Sequence, residues 1–390
     1  MRMRMWSGLG GVSFCHLPFA FCLLPCLVFL PPPLHAASPT LVRLTPHTAP
    51  ALYDDLSRTS LKYAVRRSLT ALRPRPDTES VVFGSQQLSL AHVRDSLQHF
   101  YTLLETEEDL AAAVWRDFHL YRATAPALFT GYHEPLLRGS RVRTRRYRYP
   151  LYRLPDDLVE RAPASDTGER RIGRWVRGRF VPYFTRAEID GQGALAKRGY
   201  EIAWLDDPVA LFFLHIQGSG QIALTDGSHL RVGYAGTNGH PYTSIGKWLK
   251  QRGKLQPGRT SSPAIQHYLH THPDEQRTIF FQNRRYVFFR PSRGEPRGSL
   301  GSPLTAGRSI AIDPKVYPLG ALGFIRTRRP RVGRHQTVAW QPFSRFVLLQ
   351  DTGAAISGPG RVDIFWGSGA QVEAGYMAEQ GELYLLLKKR

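Results

Sequence analysis

Three aspartates near the C-terminus are placed by type and spacing to move protons. The run Val347-Leu348-Leu349-Gln350-Asp351-Thr352-Gly353-Ala354-Ala355-Ile356-Ser357-Gly358-Pro359-Gly360-Arg361-Val362-Asp363-Ile364-Phe365-Trp366 reads as strand, tight turn, strand. Asp351-Thr352-Gly353 and Ser357-Gly358-Pro359-Gly360 carry turn chemistry, and the apolar residues on either side carry strand character. Asp351 and Asp363 therefore flank one short loop. Asp313 lies in a further acidic turn, Asp313-Pro314-Lys315-Val316-Tyr317-Pro318-Leu319-Gly320. Carboxyl groups on rigid β elements can exchange protons with a glycosidic or peptide bond. Val362, Ile364, Phe365 and Trp366 give Asp363 apolar neighbours, which would hold its proton on near neutral pH. Aspartate is also an ordinary turn residue, and for Asp313, which precedes a proline, turn chemistry is the favoured reading.

The elements that must position these residues fall into three textures. From 51 to 121 apolar residues recur at helical spacing, broken by Pro74 and Pro76 and restarted at Ser89, with helix expected to run on through Phe118 and Leu120. From about 127 to 290 short strands are expected, broken by Gly, Pro and Asn. The arginine-alternating stretch 141–149 reads as a two-faced strand, 210–216 as a buried strand, and 222–232 as a hairpin about Asp226-Gly227. Only 244–250 reads as helix within that region, and the histidines of 267–272 read as an exposed loop. A Pro/Gly/Arg-rich linker, 291–301, precedes the acidic turns, and 326–335 reads as a basic hairpin tip. This texture predicts a discontinuous first domain, 38–133 with 291–390, and a β domain, 134–290, inserted into it. Such an insertion leaves a cleft between the two, where ligands commonly bind.

The same residues carry a family resemblance. Asp313-Pro314 with Pro318-Leu319-Gly320, Asp351-Thr352-Gly353 with Ile356 and Gly358, and then Asp363 resemble the three-aspartate "3D" domain. With Phe129-Thr130-Gly131-Tyr132-His133-Glu134-Pro135, Tyr149-Pro150-Leu151-Tyr152, His215-Ile216-Gln217-Gly218-Ser219-Gly220 and 233–242, the chain resembles the membrane-bound lytic murein transglycosylase A family. The resemblance implies a mainly β fold with N-terminal helices: a double-psi β-barrel holding the aspartates, a second β-barrel inserted into it, and a glycan strand in the groove between them. It implies cleavage of the β-1,4 bond between N-acetylmuramic acid and N-acetylglucosamine with formation of a 1,6-anhydromuramyl end. It assigns Asp363 as the single acid/base. Asp351 becomes a second carboxylate that raises the pKa of Asp363 or holds the loop. Thr130, Gly131, Tyr132, Gln217, Gly218 and Ser219 are the expected groove contacts, with Asp313 and Trp366 added to the substrate set and Asn238 and Tyr242 weaker. No cofactor and no metal is expected, because the fourteen histidines are scattered without metal-ligand spacing.

Two rival readings remain open at this point. Asp351-Thr352-Gly353 is the signature of an aspartic protease, but that machinery needs two aspartates sharing a proton, and the chain has one Asp-Thr-Gly with too little sequence after it for a second lobe. A barrel that binds peptidoglycan without cutting it is the other.

The remaining signals concern compartment and partners. Basic residues at the start, an uncharged apolar run, Pro31-Pro32-Pro33 and His35-Ala36-Ala37-Ser38 read as a signal peptide over 1–37. All three cysteines, Cys15, Cys22 and Cys26, fall inside it, so no disulfide is expected beyond it. Pro25 before Cys26 is a poor lipidation motif. The protein is expected in the periplasm, with outer-membrane attachment left open. The net charge of +21 is consistent with plain solubility or with attraction to a polyanion. Export excludes nucleic acid. The expected partners are peptidoglycan glycan strands, then an anionic membrane surface or other cell-wall enzymes, for a protein expected to be a monomer.

Overall fold

Two large sheets organise the chain, one of eight strands and one of six. The computed structural model describes residues 40–390 apart from 49, 163–170, 256–260, 334–336 and 370–371. The segment expected to be a signal peptide, the three cysteines and His335 lie outside the described residues. The first sheet has eight strands in the order Leu41–Arg43, Phe118–Ala123, Ala378–Lys388, Leu322–Val332, Val338–Asp351, Ser309–Ala311, Arg361–Ser368, Ala127–Glu134. A further pairing of Ala378–Lys388 with Ala127–Glu134 closes its last six strands into a barrel. Closure removes the open edge that a flat sheet would expose. Two pairings in the ring are parallel, Ser309–Ala311 with Val338–Asp351 and Arg361–Ser368 with Ala127–Glu134. The barrel and the helices packed on it, Arg58–Leu72 and Leu90–Thr106, share one buried apolar cluster.

The helices are tied to the barrel by buried polar bonds as well as by burial. Arg308, with no exposed surface, donates to Asp54 Oδ2 at 2.6 Å, Ser60 Oγ at 3.0 Å and the carbonyls of Ser57 and Phe346. Arg345 makes a two-pronged pair with Asp55 at 2.8 and 2.7 Å. These pairs explain why the first helix starts at Arg58, capped by Ser57, and not near 51. Asp54 and Asp55 are spent on the barrel before the helix begins.

The second sheet runs Val287–Pro291, His229–Thr237, Ser219–Leu224, Leu136–Ser140, Glu201–Leu205, Tyr149–Tyr152, and a bridge from Arg153 to Phe289 joins its two ends. It has its own apolar core around Leu151, Ala203, Leu214, Ile222 and Phe289. A three-stranded sheet, Val159–Arg161, Arg171–Val176 and Arg179–Pro182, stands beside it.

Several local expectations are corrected. Residues 210–216 lie in a helix, Pro208–Gln217, because Asp207 caps it by accepting from Val209 N at 2.8 Å, Pro208 suits the first turn, and left-handed Gly218 ends it. Its residues are apolar nearly all round and mostly buried, so no helical period shows in the sequence. Phe118 and Leu120 belong to a strand, not a helix: the helix Leu110–Asp117 stops where Phe118–Ala123 pairs with Ala378–Lys388. Residues 141–148 are irregular, since their arginines reach sideways to Asp206 and Asp226 instead of pairing in a sheet. The histidines from His267 ride on a helix, Ser262–Thr271, capped by Ser261, and a further helix, Gln276–Gln282, follows. The strand Leu322–Val332 continues through the stretch expected to be a basic hairpin tip.

Candidate active site

The strand registers set a row of residues across four neighbours. Asp351 pairs with Ala311, Ala311 with Asp363, and Asp363 with Thr130. Strands lie about 4.8 Å apart, so two spacings put the backbones of Asp351 and Asp363 roughly 10 Å apart with only the buried methyl of Ala311 between them. That separation, set by register alone, lets each carboxyl feel the other without touching it.

Asp363 is half-buried on the strand Arg361–Ser368 and accepts from Thr130 Oγ1 at 2.8 Å. Burial raises its pKa to about 7 from an ordinary 3.8; the Thr130 hydrogen bond and the Arg361 charge pull it down, and Asp351 pushes it up. Arg361 approaches Thr130 Oγ1 at 3.5 Å. The carboxyl thus carries its proton across much of the acidic and neutral range while keeping exposed surface.

Asp351, at the end of the strand Val338–Asp351, is held differently. Its Oδ2 accepts from the Tyr132 hydroxyl at 2.8 Å, and its Oδ1 from Ser299 N at 2.9 Å, Ser299 Oγ at 3.0 Å and Thr352 N at 2.8 Å. Burial raises its pKa, and these donors oppose the rise by stabilising the carboxylate. Asp351 is thus held by four donors, whereas Asp363 is held by Thr130 alone among the described residues. Tyr132 stays neutral, its pKa pushed well up by burial and then by Asp351 and Asp363, and its ring packs on Phe365 at 5.3 Å.

Gly131 pairs with Ile364 between these residues. A Cβ there would come within 2.6 Å of Trp366 Nε1 and 2.9 Å of the Ala374 carbonyl, so the glycine is what lets the indole lie against the strand. Thr130, Gly131, Tyr132 and Trp366 are therefore brought together with both carboxylates. Gln217, Gly218 and Ser219 meet the same strand further along: Gln217 Oε1 accepts from His133 N at 3.0 Å, and Gly218 turns the chain from helix to strand with φ 78°. Asp313 is not free for a ligand. Its Oδ1 accepts from Lys315 N at 2.9 Å and its Oδ2 from Gly358 N at 2.7 Å, which pins the two turns together. Asn238 is likewise committed, donating to the carbonyls of Phe184 and Arg284 and accepting from Tyr286 N.

Three residues at the site were not singled out from sequence. Arg361 sits inside the acidic loop itself, where an adjacent cation was a readable signal. Ser299 comes from the linker region and carried no signal. Glu134, with no exposed surface, accepts from Gln221 Nε2 at 2.9 Å and Ser368 Oγ at 2.7 Å and faces Arg231 at 3.0 Å, joining both sheets beside the site. Among the described residues no group of three or more His, Cys, Asp or Glu is arranged to hold a metal.

Residues 128–290 match the family described as the MltA specific insert domain, and residues 308–387 match the 3D domain. The chain is 33% identical over 263 residues to membrane-bound lytic murein transglycosylase A of Escherichia coli K12, covering 66% of this chain and 65% of that protein. It is 30% identical over 264 residues to the protein of that name from Vibrio cholerae, with the same coverage. The aligned region thus spans just under two thirds of these curated relatives. A crystal structure of a membrane-bound lytic murein transglycosylase from Agrobacterium tumefaciens superposes with a TM-score of 0.75 at 30% identity, over 90% of this chain and 98% of that one. The E. coli protein with bound chitohexaose superposes with a TM-score of 0.67 at 25% identity, over 90% and 95%.

Proposed function

This chain belongs to the membrane-bound lytic murein transglycosylase A family, and we propose that it is a peptidoglycan lytic transglycosylase in which Asp363 is the single acid/base. The observation that carries the reading is the desolvated, proton-retaining carboxyl of Asp363, two strands from the donor-held carboxyl of Asp351. In the first half of the reaction Asp363 gives its proton to the glycosidic oxygen between N-acetylmuramic acid and N-acetylglucosamine, and the C1–O bond breaks. Positive charge develops at C1, near the Asp351 carboxylate that Tyr132, Ser299 and Thr352 hold in place. In the second half the Asp363 carboxylate takes the proton of the muramic C6 hydroxyl as that oxygen bonds to C1. The product is a 1,6-anhydromuramyl end, no water is consumed, and Asp363 ends as it began. One group serves as acid and then base, which suits a pKa near 7.

The bound chitohexaose of the E. coli relative supports a glycan strand as the ligand, running past Thr130, Gly131, Tyr132 and Trp366. We read 38–133 with 291–390 as the catalytic part and 134–290 as the inserted part, Gln217, Gly218 and Ser219 facing the strand from the insert. The membrane-bound relatives support an exported, envelope-associated location, and no helix among the described residues is long and apolar enough to cross a membrane. Product analysis tests the reaction. Mass spectrometry of purified peptidoglycan digested by the wild type should show anhydromuramyl ends, and Asp363→Asn should give none. Reducing muramic ends would instead mean hydrolysis by water, with Asp351 as the base. No products from the wild type would leave a wall-binding barrel.

A further inference from the structure

The strand end and loop around Ser140 hold a dense run of positive charge. Arg138, Arg141, Arg143, Arg145, Arg146 and Arg148 fall within eleven residues, each exposed. Two carboxylates serve them: Asp206 takes Arg138 at 3.1 Å and Arg146 at 3.3 Å, and Asp226 takes Arg141 at 3.2 Å. No carboxylate among the described residues lies within ion-pair distance of Arg143, Arg145 or Arg148. Arg143 lies over the Trp204 ring at 5.7 Å, and Arg148 lies over the Tyr149 ring at 5.1 Å and donates to the Tyr149 hydroxyl at 3.0 Å, contacts with neutral groups that leave their charge uncompensated. Val142, between the arginines, is 68% exposed.

The loop is preformed. Ser140 Oγ accepts from Val142 N at 3.2 Å, Thr144 Oγ1 from Tyr147 N at 2.9 Å, and Thr144 N donates to the Tyr147 carbonyl at 2.9 Å. Its position matters as much as its charge. The strand Leu136–Ser140 starts where Glu134 and Pro135 leave the Thr130 strand, and the loop sits at its other end. A partner seated there stays clear of Asp363.

We propose that this loop docks the protein on an anionic phospholipid surface, with Arg143, Arg145 and Arg148 on the headgroup phosphates and Val142 in the interface. A lipid surface fits better than a nucleic acid because the nearby rings of Trp204, Tyr147 and Tyr149 are covered by arginines and unavailable to stack on bases, while the one bare apolar side chain is aliphatic. The proposal rests on the envelope location read above.

Its test is vesicle cosedimentation of residues 39–390, the compact unit that holds both sheets and their cores and lacks the apolar leader. Vesicles of phosphatidylethanolamine with phosphatidylglycerol are compared with neutral phosphatidylcholine vesicles at low and physiological salt. The wild type should bind the anionic vesicles alone, and more weakly as salt rises. The triple variant Arg143→Gln, Arg145→Gln, Arg148→Gln should bind them on the order of a hundredfold more weakly, since each arginine near such a surface contributes about fivefold. A control with equal charge loss at exposed sites outside the loop, Arg66→Gln and Arg73→Gln on and just after the first helix and Arg328→Gln on the barrel strand Leu322–Val332, should bind within about threefold of the wild type, because a screened surface potential acts on the charges seated at it. Equal losses in both variants, no wild-type binding, or retention on DNA without vesicle binding would overturn the proposal. Cleavage of soluble glycan fragments is measured alongside. Its loss in every protein would count against the catalytic reading and leave the docking result standing.

Discussion

Removing the acid should make the folded protein more stable at alkaline pH, and the size of the gain follows from the site. Asp363 ionises near 3.8 when unfolded and near 7 when folded. A carboxyl whose folded pKa is raised binds its proton more tightly in the folded state. Its contribution is therefore complete below about pH 4 and is lost as pH rises from there through 7. The difference of about three pH units corresponds to roughly 4 kcal/mol at 1.36 kcal/mol per unit. Asp363 keeps some exposed surface, so about half of that is the working figure. Asp363→Asn has no such ionisation and keeps the shape. The stability of the variant minus that of the wild type, from urea denaturation with the same slope, should therefore grow by about 2 kcal/mol between pH 4 and pH 8.5. The gain is the counterpart of a functional loss, because the desolvation that destabilises the carboxylate also keeps the acid protonated for its task. A difference that stays flat with pH, or grows toward acid, would refute the assignment of Asp363 as a desolvated acid, whatever the variant does to activity.

Two further outcomes probe its neighbours. Thr130→Val removes a hydrogen bond that favours the Asp363 carboxylate; at about 1.5 kcal/mol for a bond to a charged group, the alkaline limb of the kcat–pH profile should move up by about one pH unit, and an unmoved or lowered limb would sever Thr130 from the acid. Gly131→Ala drives a methyl into Trp366 and the Ala374 carbonyl, so a thermal or urea melt should show a loss of about 1–3 kcal/mol, and a neutral result would mean that the indole moves aside freely.

Much of the site was legible because it depends on short-range rules. Asp-Thr-Gly and Ser-Gly-Pro-Gly can hardly be anything but turns, and Val362 to Phe365 can hardly be anything but a strand between buried neighbours. What local rules could not reach were residues whose role depends on distant partners. Ser299 reaches Asp351 from the linker. Asp313 stands in the same acidic pattern as the other two aspartates, yet its oxygens are consumed by Lys315 N and Gly358 N. The 208–217 segment is helical because its caps and the burial of Val209 and 211–215 outweigh a pattern that reads equally well as a strand.

The sequence by itself determined the chemical inventory: two aspartates around a rigid loop, the Thr130-Gly131-Tyr132 strand, a mainly β chain with helices at its start, and the family that those motifs resemble. Only the tertiary structure decided which groups surround each aspartate. The pairing register of four barrel strands sets the row Asp351, Ala311, Asp363 and Thr130, and the fold surrounds Asp351 with four donors and leaves Asp363 with one. The physical reason is that a pKa depends on desolvation and on the balance of donors and charges within a few ångströms, and the strand register assembles those neighbours from segments far apart in the chain.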